Sequence, residues 1–182
     1  MIENNITKQL ILIGGGHANV QVLKKLCRNN IKGLHTILIS ENFEATYSGM
    51  TPGFIHEDFS KEEISIDLQS LCFNAGATFI RDKVIKLDTN HRELQLQNLP
   101  PVNYDLLSIN TGSISNTKKI NIENSSKCFF VKPISSLVKN LSKIDQIVKN
   151  KKNKIVIVGG GVASYELAFS LKRRYEIPLE IT

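Results

Sequence analysis

The chain has 182 residues, 41% of them apolar and 22% charged, with 5 prolines and a mean hydropathy of −0.11; such a chain buries roughly two-thirds of its extended surface, which excludes the disordered and fibrous classes. Its 23 Lys and Arg against 17 Asp and Glu give a formal charge of +6. The lysines are spread along the chain and aromatic residues are only 7%, so the charge reads as a solvated surface and no nucleic-acid partner is expected.

Met1 to Lys8 is polar, and the apolar run that follows, Leu10 to Ile13, is too short for a signal core or a membrane span, so the chain reads as cytoplasmic. Gln9 to Ile13 is an apolar stretch of strand length that ends in glycines, the pattern of a central parallel strand covered on both faces. After Gly14-Gly15-Gly16-His17, Ala18, Val22 and Leu26 recur every four residues with Leu23 and Cys27 beside them, which predicts a helix packing back on the sheet, closed by Asn29, Asn30 and Gly33. His35 to Ile39 repeats the strand signal, so the opening 40 residues form a β-α-β unit with a right-handed crossover.

Glu41 to Phe59 has no clean periodicity and contains Tyr47-Ser-Gly-Met-Thr-Pro-Gly53, a loop too long to be a mere connection. Ser60-Lys-Glu-Glu63 fits a capping box, and Asp67 is a second candidate N-cap ahead of a short helix from Leu68 that ends at Ala75-Gly76. Thr78 to Ile80 is strand-like; Val84 to Leu87 and Glu93 to Leu96 alternate around Asp88 to His91 and predict a β-hairpin. Tyr104 to Ile109 returns to a buried strand that stops at Thr111-Gly112. Leu137, Leu141, Ile144 and Val148 mark an amphipathic helix, and Lys149, Lys151, Lys152 and Lys154 a turn. Ile155 to Val158 then leads to Gly159-Gly160-Gly161, a helix with Val162, Ala163, Leu167, Ala168 and Leu171, and a last strand from Pro178 to Ile181. That ending reads either as the front portion of a longer protein or as a true edge strand.

Gly14-x-Gly16 lies directly after a strand and opens a helix, the context in which backbone approaches a pyrophosphate closely and helix amides point at it. Its third position is Asn19 where glycine or alanine is usual, and the ribose position at the end of the second strand is Ser40, with Glu41 one step later. The second fingerprint, Gly159-x-Gly161-x-x-Ser164-x-Glu166, stands in the same context. One triplet is weak evidence because glycines also end strands for steric reasons; two in matching contexts point to two dinucleotide sites. Cys27, Cys72 and Cys128 form no CxxC or CxxxxC pair, which argues against a disulfide framework or a zinc site, and Cys128 beside Phe129-Phe130 reads as buried packing. His35, His56 and His91 show no ligand spacing, so no metal is expected; His17 reads as a packing or hydrogen-bonding residue of the first turn. Asp105 and Glu166 read as partners of backbone donors.

With Ile11 to Asn19, Tyr47 to Gly53, Tyr104 to Gly112, Val131-Lys-Pro-Ile134 and Ile155 to Glu166, the chain resembles, over nearly its whole length, the two-dinucleotide-binding-domain flavoproteins of the pyridine nucleotide-disulfide oxidoreductase superfamily, on the branch of the type II NADH dehydrogenases. The GGGH start, the YSGMTPG loop and the VKPI segment are most similar to the subgroup found alone or fused to a selenide, water dikinase. The resemblance implies an α/β fold of two Rossmann-like units, an FAD-binding one over 1–113 and, over 114–182, a linker helix and the start of an NAD(P)H-binding one. It implies that Gly14, Gly15, Gly16, His17 and Ala18 line the FAD pyrophosphate, that Ser40 or Glu41 holds the ribose, that Val84 marks the backbone pairing with adenine, and that Thr111-Gly112 passes close to the flavin. Tyr47 would shape the acceptor pocket or anchor its loop, and Gly159, Gly161, Ser164 and Glu166 would seat NADH or NADPH. The implied activity is hydride transfer from NAD(P)H to flavin and electron passage to a quinone or another small-molecule acceptor, with no side chain assigned to catalysis. A homodimer, and peripheral contact with the inner face of a membrane through a region beyond Thr182, are also implied. Because no CxxxxC pair stands in the Tyr47 to Gly53 region, disulfide reduction by a cysteine pair is not expected. The alternative reading is a non-catalytic flavin- or nucleotide-binding module, such as the regulatory front end of a selenide, water dikinase.

Overall fold

A computed structural model describes residues 6–116, 121–122, 125–149, 155–175 and 179–181. It divides into two compact units, Met1–Ala45 with Ile66–Gly112 and Thr46–Ser65 with Ser113–Thr182.

In the first unit the opening apolar run becomes β1 (Lys8–Ile13), followed by α1 (His17–Arg28) and β2 (Leu34–Ser40); β3 (Glu44–Thr46) ends at the boundary of the second unit. That second unit begins with a 3-10 turn at Ser48–Met50 and α2 (Thr51–Ile55), so the region read as an irregular loop contains a short helix, with Pro52 in its first turn where its missing N–H costs nothing. After β4 (Ser65–Asp67) come α3 (Leu68–Asn74), β5 (Thr78–Arg81), β6 (Val84–Asp88), β7 (Glu93–Leu96), β8 (Val102–Asn103) and β9 (Leu106–Ile109).

β5, β2, β1 and β9 form, in that order, an all-parallel sheet. Strand side chains alternate between faces, and both faces of β1 and β2 are covered, whereas β9, expected as a buried strand, lies at the sheet edge and leaves Leu106 and Ile109 exposed. Leu12 and Leu38 turn to one side, against Val20, Leu23 and Leu26 of α1 and Leu68 and Cys72 of α3. Ile11, Ile13, Ile37 and Ile39 turn to the other, against Leu94 and Leu96 of β7. This two-sided burial explains the uninterrupted apolar runs, each fully buried side chain contributing about 1.5–3 kcal/mol.

The expected hairpin forms, Asp88 Oδ1 accepting from the Asn90 and His91 amides at 2.9 Å each to close its turn. The two-residue β8 after Pro101 joins it as a third strand that periodicity is too short to reveal. The buried side of α1 is Asn19, Val20, Leu23 and Leu26; Ala18 and Cys27 are exposed and Val22 only half-buried, so the expected stripe is rotated toward a polar residue. The Ser60 to Glu63 capping pair exists, the Ser60 amide donating to Glu63 Oε2 at 2.7 Å and the Glu63 amide to Ser60 Oγ at 3.2 Å, but the chain then goes into β4. Asp67 is the N-cap that starts a helix, accepting from the Ser70 amide at 3.0 Å.

The second unit continues with a 3-10 turn at Ser125–Lys127, α4 (Ile134–Lys149), β10 (Ile155–Ile157), α5 (Val162–Tyr175) and β11 (Leu179–Ile181), β10 and β11 pairing in parallel. Its core gathers Ile55, Leu137, Leu141 and Leu167, with Ile144, Ile157 and Leu171 packed around them. Of the apolar residues of α5, Val162 and Ala163 are exposed and Leu167 and Ala168 buried. Lys149, expected in the lysine turn, is the last residue of α4, while Lys151, Lys152 and Lys154 and the strand start at Pro178 lie outside the described residues.

Candidate functional site

β1 and β9 are neighbours in register, Ile13 opposite Ile109, so the segments that leave their carboxyl ends run side by side. The Asn110 amide donates to Ile13 O at 2.8 Å and the Gly16 amide to Asn110 O at 3.0 Å. Gly14 has φ +84°, and a Cβ there would stand 2.5 Å from Asn110 O and 2.7 Å from Thr111 Cα, so both conformation and space demand glycine. A Cβ on Gly15 would strike Leu68 Cδ1, and one on Gly16 would overlap the Asn110 carboxamide. The structure thus brings Gly14, Gly16 and Ala18 against Asn110 and Thr111, two stretches more than 90 residues apart in sequence, with Gly15 and His17 between the first three and Gly112 following the last.

Helix α1 opens on this turn with no acidic residue in its first turn and Lys25 and Arg28 in its last. Its N-terminal amides and dipole therefore favour an anion, and no carboxylate of its own first turn opposes one. A glycine turn without room for Cβ atoms, leading into such a helix end, fits a dinucleotide pyrophosphate.

Asn19, the departure from the usual triplet, is fully buried. Its Nδ2 donates to Ile13 O at 3.0 Å and to Gly14 O at 2.8 Å, and its Oδ1 accepts from Ser108 Oγ at 2.7 Å. A small residue would let helix and strand pack by contact; Asn19 instead ties the end of β1, the turn and β9 together with hydrogen bonds. Ser108 and Asn110 are partners that sequence reasoning did not single out, because no spacing rule links positions about 90 residues apart.

At the end of β2, Ser40 is buried and its Oγ accepts from the Asn42 amide at 3.3 Å, whereas Glu41 is exposed, with its carboxylate 3.6 Å from Lys83 Nζ. Arg81 lies beside it, donating from Nε to Glu41 O at 3.4 Å and stacking over Phe43 at 4.6 Å. Arg81, Phe43 and Lys83 also escaped sequence reasoning, since their meeting depends on the pairing of β2 with β5. Val84 opens β6 and is half-buried against the Ile11, Ile13, Ile37 and Ile39 face of the sheet.

Tyr47, in the second unit, donates its amide to Ile64 O at 2.8 Å, and its ring lies against Gly49, where a Cβ would come within 3.3 Å of it. Thr51, in the same motif, is buried with its hydroxyl lacking a protein partner. The second fingerprint forms a glycine turn between β10 and α5: Gly159 has φ +126°, the Ser164 amide donates to Gly161 O at 2.8 Å, and, chain neighbours aside, no atom of the described residues lies within 4 Å of where Cβ atoms on Gly160 and Gly161 would be. Helix α5 too has no acid in its first turn, and Glu166 is exposed.

Asp105 sits at the amino-terminal end of β9, away from the glycine turn, where the Gln9 amide at 2.7 Å and Lys8 hold its carboxyl below the usual carboxylate range, a structural role. Burial pushes the Cys72 thiol up to about 12, which makes it inert core. Cys128, expected as buried packing, is exposed. Among the described residues no group of three or more His, Cys, Asp or Glu could hold a metal ion, and no helix is long and apolar enough to cross a membrane.

Residues 8–179 match the family model described as pyridine nucleotide-disulphide oxidoreductase. The sulfide-quinone reductase of Aquifex aeolicus (strain VF5) is 31% identical over 110 residues, 59% of this chain and 25% of that one. The solved structure of the A. aeolicus enzyme aligns over 96% of this chain and 43% of its own, with 22% identity and a TM-score of 0.74. The water-forming NADH oxidase of Lactobacillus brevis, bound to NADH, aligns with a TM-score of 0.78 and 16% identity over 96% of this chain and 39% of its own. NDH2 of Plasmodium falciparum, in complex with NADH, gives 0.74 and 17% over 96% and 41%. The chain spans less than half the length of each of these proteins.

Proposed function

The chain belongs to the pyridine nucleotide-disulphide oxidoreductase family, and from that premise we propose that it carries the two dinucleotide sites of an FAD-dependent NAD(P)H dehydrogenase, a hydride passing from NAD(P)H to flavin and electrons going on to a quinone or another small-molecule acceptor. Its cofactors are FAD and NAD(P)H. The observation that carries the reading is the pair of glycine turns, Gly14 to Gly16 and Gly159 to Gly161, each set between a parallel strand and a helix with no acid in its first turn.

In this reading residues 1–113 serve FAD and 114–182 open the NAD(P)H half. Gly14, Gly15, Gly16, His17 and Ala18 receive the FAD pyrophosphate, with Thr111 and Gly112 alongside. Glu41, whose carboxylate is exposed, is a better acceptor for the ribose hydroxyls than Ser40, whose Oγ already takes the Asn42 amide. Val84 stands toward the adenine and Tyr47 toward the acceptor. Gly159, Gly161, Ser164 and Glu166 receive NAD(P)H. Bound flavin supplies the redox chemistry itself, so the protein groups need only bind, orient and exclude water. The quinone is favoured over other acceptors by the likeness to sulfide-quinone reductase.

A visible absorption spectrum of the protein reconstituted with FAD, taken before and after anaerobic NADH, tests the proposal. A flavin band that bleaches on NADH addition is the expected result; absence of any bound flavin overturns it.

A further inference from the structure

Helix α1 has an N-cap, Gly16, with no side chain to satisfy its first amides. The oxygen that does so is supplied from 92 residues away: the Ala18 amide donates to Asn110 Oδ1 at 3.0 Å. The same residue takes the Gly16 amide on its backbone oxygen at 3.0 Å. The Asn110 carboxamide lies directly against Gly16, since a Cβ built there would overlap it and would also stand 2.5 Å from the Asn110 backbone oxygen. The Ala18 hydrogen bond thus puts one neutral side-chain oxygen of the protein where an anionic oxygen of the ligand would be drawn.

We propose that Asn110 is an internal surrogate for the dinucleotide pyrophosphate: its carboxamide caps α1 while the site holds no FAD, and FAD must turn it out to reach the Ala18 amide. The inference rests on the reading of the first glycine turn as the FAD site. A charged phosphate oxygen makes the stronger hydrogen bond to such an amide, so the exchange is downhill, but FAD affinity is lowered by the cap it displaces. The consequence is a pair of opposed effects at one residue: the side chain stabilises the FAD-free protein and weakens FAD binding.

The full chain, stripped of FAD, is compared with Asn110→Ala and Asn110→Asp by thermal unfolding without FAD and by FAD titration followed through quenching of flavin fluorescence. Asn110→Ala lowers the FAD-free midpoint by about 2–4 °C, as loss of an N-cap does in a chain of this size, and tightens FAD binding about three- to tenfold. Asn110→Asp keeps a capping oxygen of the same reach and adds charge that suits the helix end but repels phosphate; its FAD-free midpoint is at least that of the parent while FAD binding weakens at least about tenfold. An Asn110→Ala protein that folds and binds FAD no more tightly than the parent overturns the surrogate role, as does an unfolded Asn110→Ala together with an Asn110→Asp that binds FAD undiminished. A parent chain that binds no FAD at all overturns the flavin reading itself, an outcome distinct from both.

Discussion

At the scale of single residues, Asn19 is the position where a polar side chain replaces a small one and is stabilised by what surrounds it. Its three hydrogen bonds, to Ile13 O, Gly14 O and Ser108 Oγ, are made by a side chain with no exposure of its own, so Asn19→Ala takes this partner from Gly14 O and the Ser108 hydroxyl, while Ile13 O keeps the Asn110 amide, and is expected to cost about 2–4 kcal/mol in urea unfolding. Asn19→Asp is expected to cost more than Asn19→Ala, because a carboxylate sets negative oxygen against the two carbonyls that Nδ2 now satisfies. Ser108→Ala removes only the donor to Oδ1 and should cost about 1 kcal/mol. Equal stability of Asn19→Ala and the parent would show that water replaces the amide and that the turn does not depend on it. Asn19 was visible in the sequence as a departure from the fingerprint. Its compensation was not, because the partner arrives from β9 and only the register of β1 with β9 brings it there.

Elements whose signal is local were legible, and those set by distant contacts were not. The parallel strands, both glycine turns and the Asp88 to His91 hairpin follow from short-range pattern, whereas the rotation of α1, the two-residue β8 and the helix inside the Tyr47 region follow from packing. The C-terminus of α2 illustrates the second kind. The Asp58 amide donates to Gly53 O at 2.9 Å and the Glu57 amide to Phe54 O at 3.2 Å, a Schellman ending that places Glu57 at φ +70°, where glycine is usual. The ending is held by Arg174 of α5, whose Nη1 donates to Ile55 O at 2.7 Å and lies 3.0 Å from Glu57 Oε1, while Nε and Nη2 pair with Asp145 at 2.8 Å each. Arg174→Met strips the half-buried Asp145 of its guanidinium partner, leaving it the Tyr175 hydroxyl, and removes the Arg174 donor from the Ile55 carbonyl; it is expected to cost about 3 kcal/mol, with hydrogen exchange at 53–58 speeding first, and unchanged exchange there would mean that apolar packing of Ile55 alone holds α2. In the hairpin, His91 holds the Asp88 carboxyl down to about 2, and Asp88 in turn raises the His91 ring. The Asp88 contribution is complete above its unfolded value near 4 and is lost as pH falls toward 2; that of His91 is complete below its unfolded value near 6.5 and is lost as pH rises through the higher folded value. Amide exchange across β6 and β7 should therefore be slowest between about pH 4 and 6.5 after correction for intrinsic rates, and His91→Ala should abolish the alkaline loss.

At the scale of the whole chain, each unit owns a core: the two faces of the parallel sheet in the first, and Ile55, Leu137, Leu141 and Leu167 in the second. The excursion 46–65, although inserted in the sequence of the first unit, belongs by its contacts to the second, since Ile55 lies in that core and Asp58 pairs with Arg173 at 2.9 Å. Sequence order alone suggested one break near residue 113; the return of 46–65 to the later segment depends on Arg173 and Arg174, whose partners no spacing reveals. A ligand that binds only the folded form of a unit stabilises that unit by RT ln(1 + [L]/Kd), about 2.7 kcal/mol at roughly a hundred times Kd. If the two glycine turns bind different dinucleotides, FAD should slow hydrogen exchange in β1, α1 and β9, and NADH should slow it in β10, α5 and, through Arg174, the 46–65 excursion. Hydrogen exchange read by mass spectrometry with each ligand alone separates these cases. Protection of the excursion by NADH along with α5 would assign it functionally to the second site; protection by NADH confined to β1 and α1 would reverse the assignment of the two fingerprints.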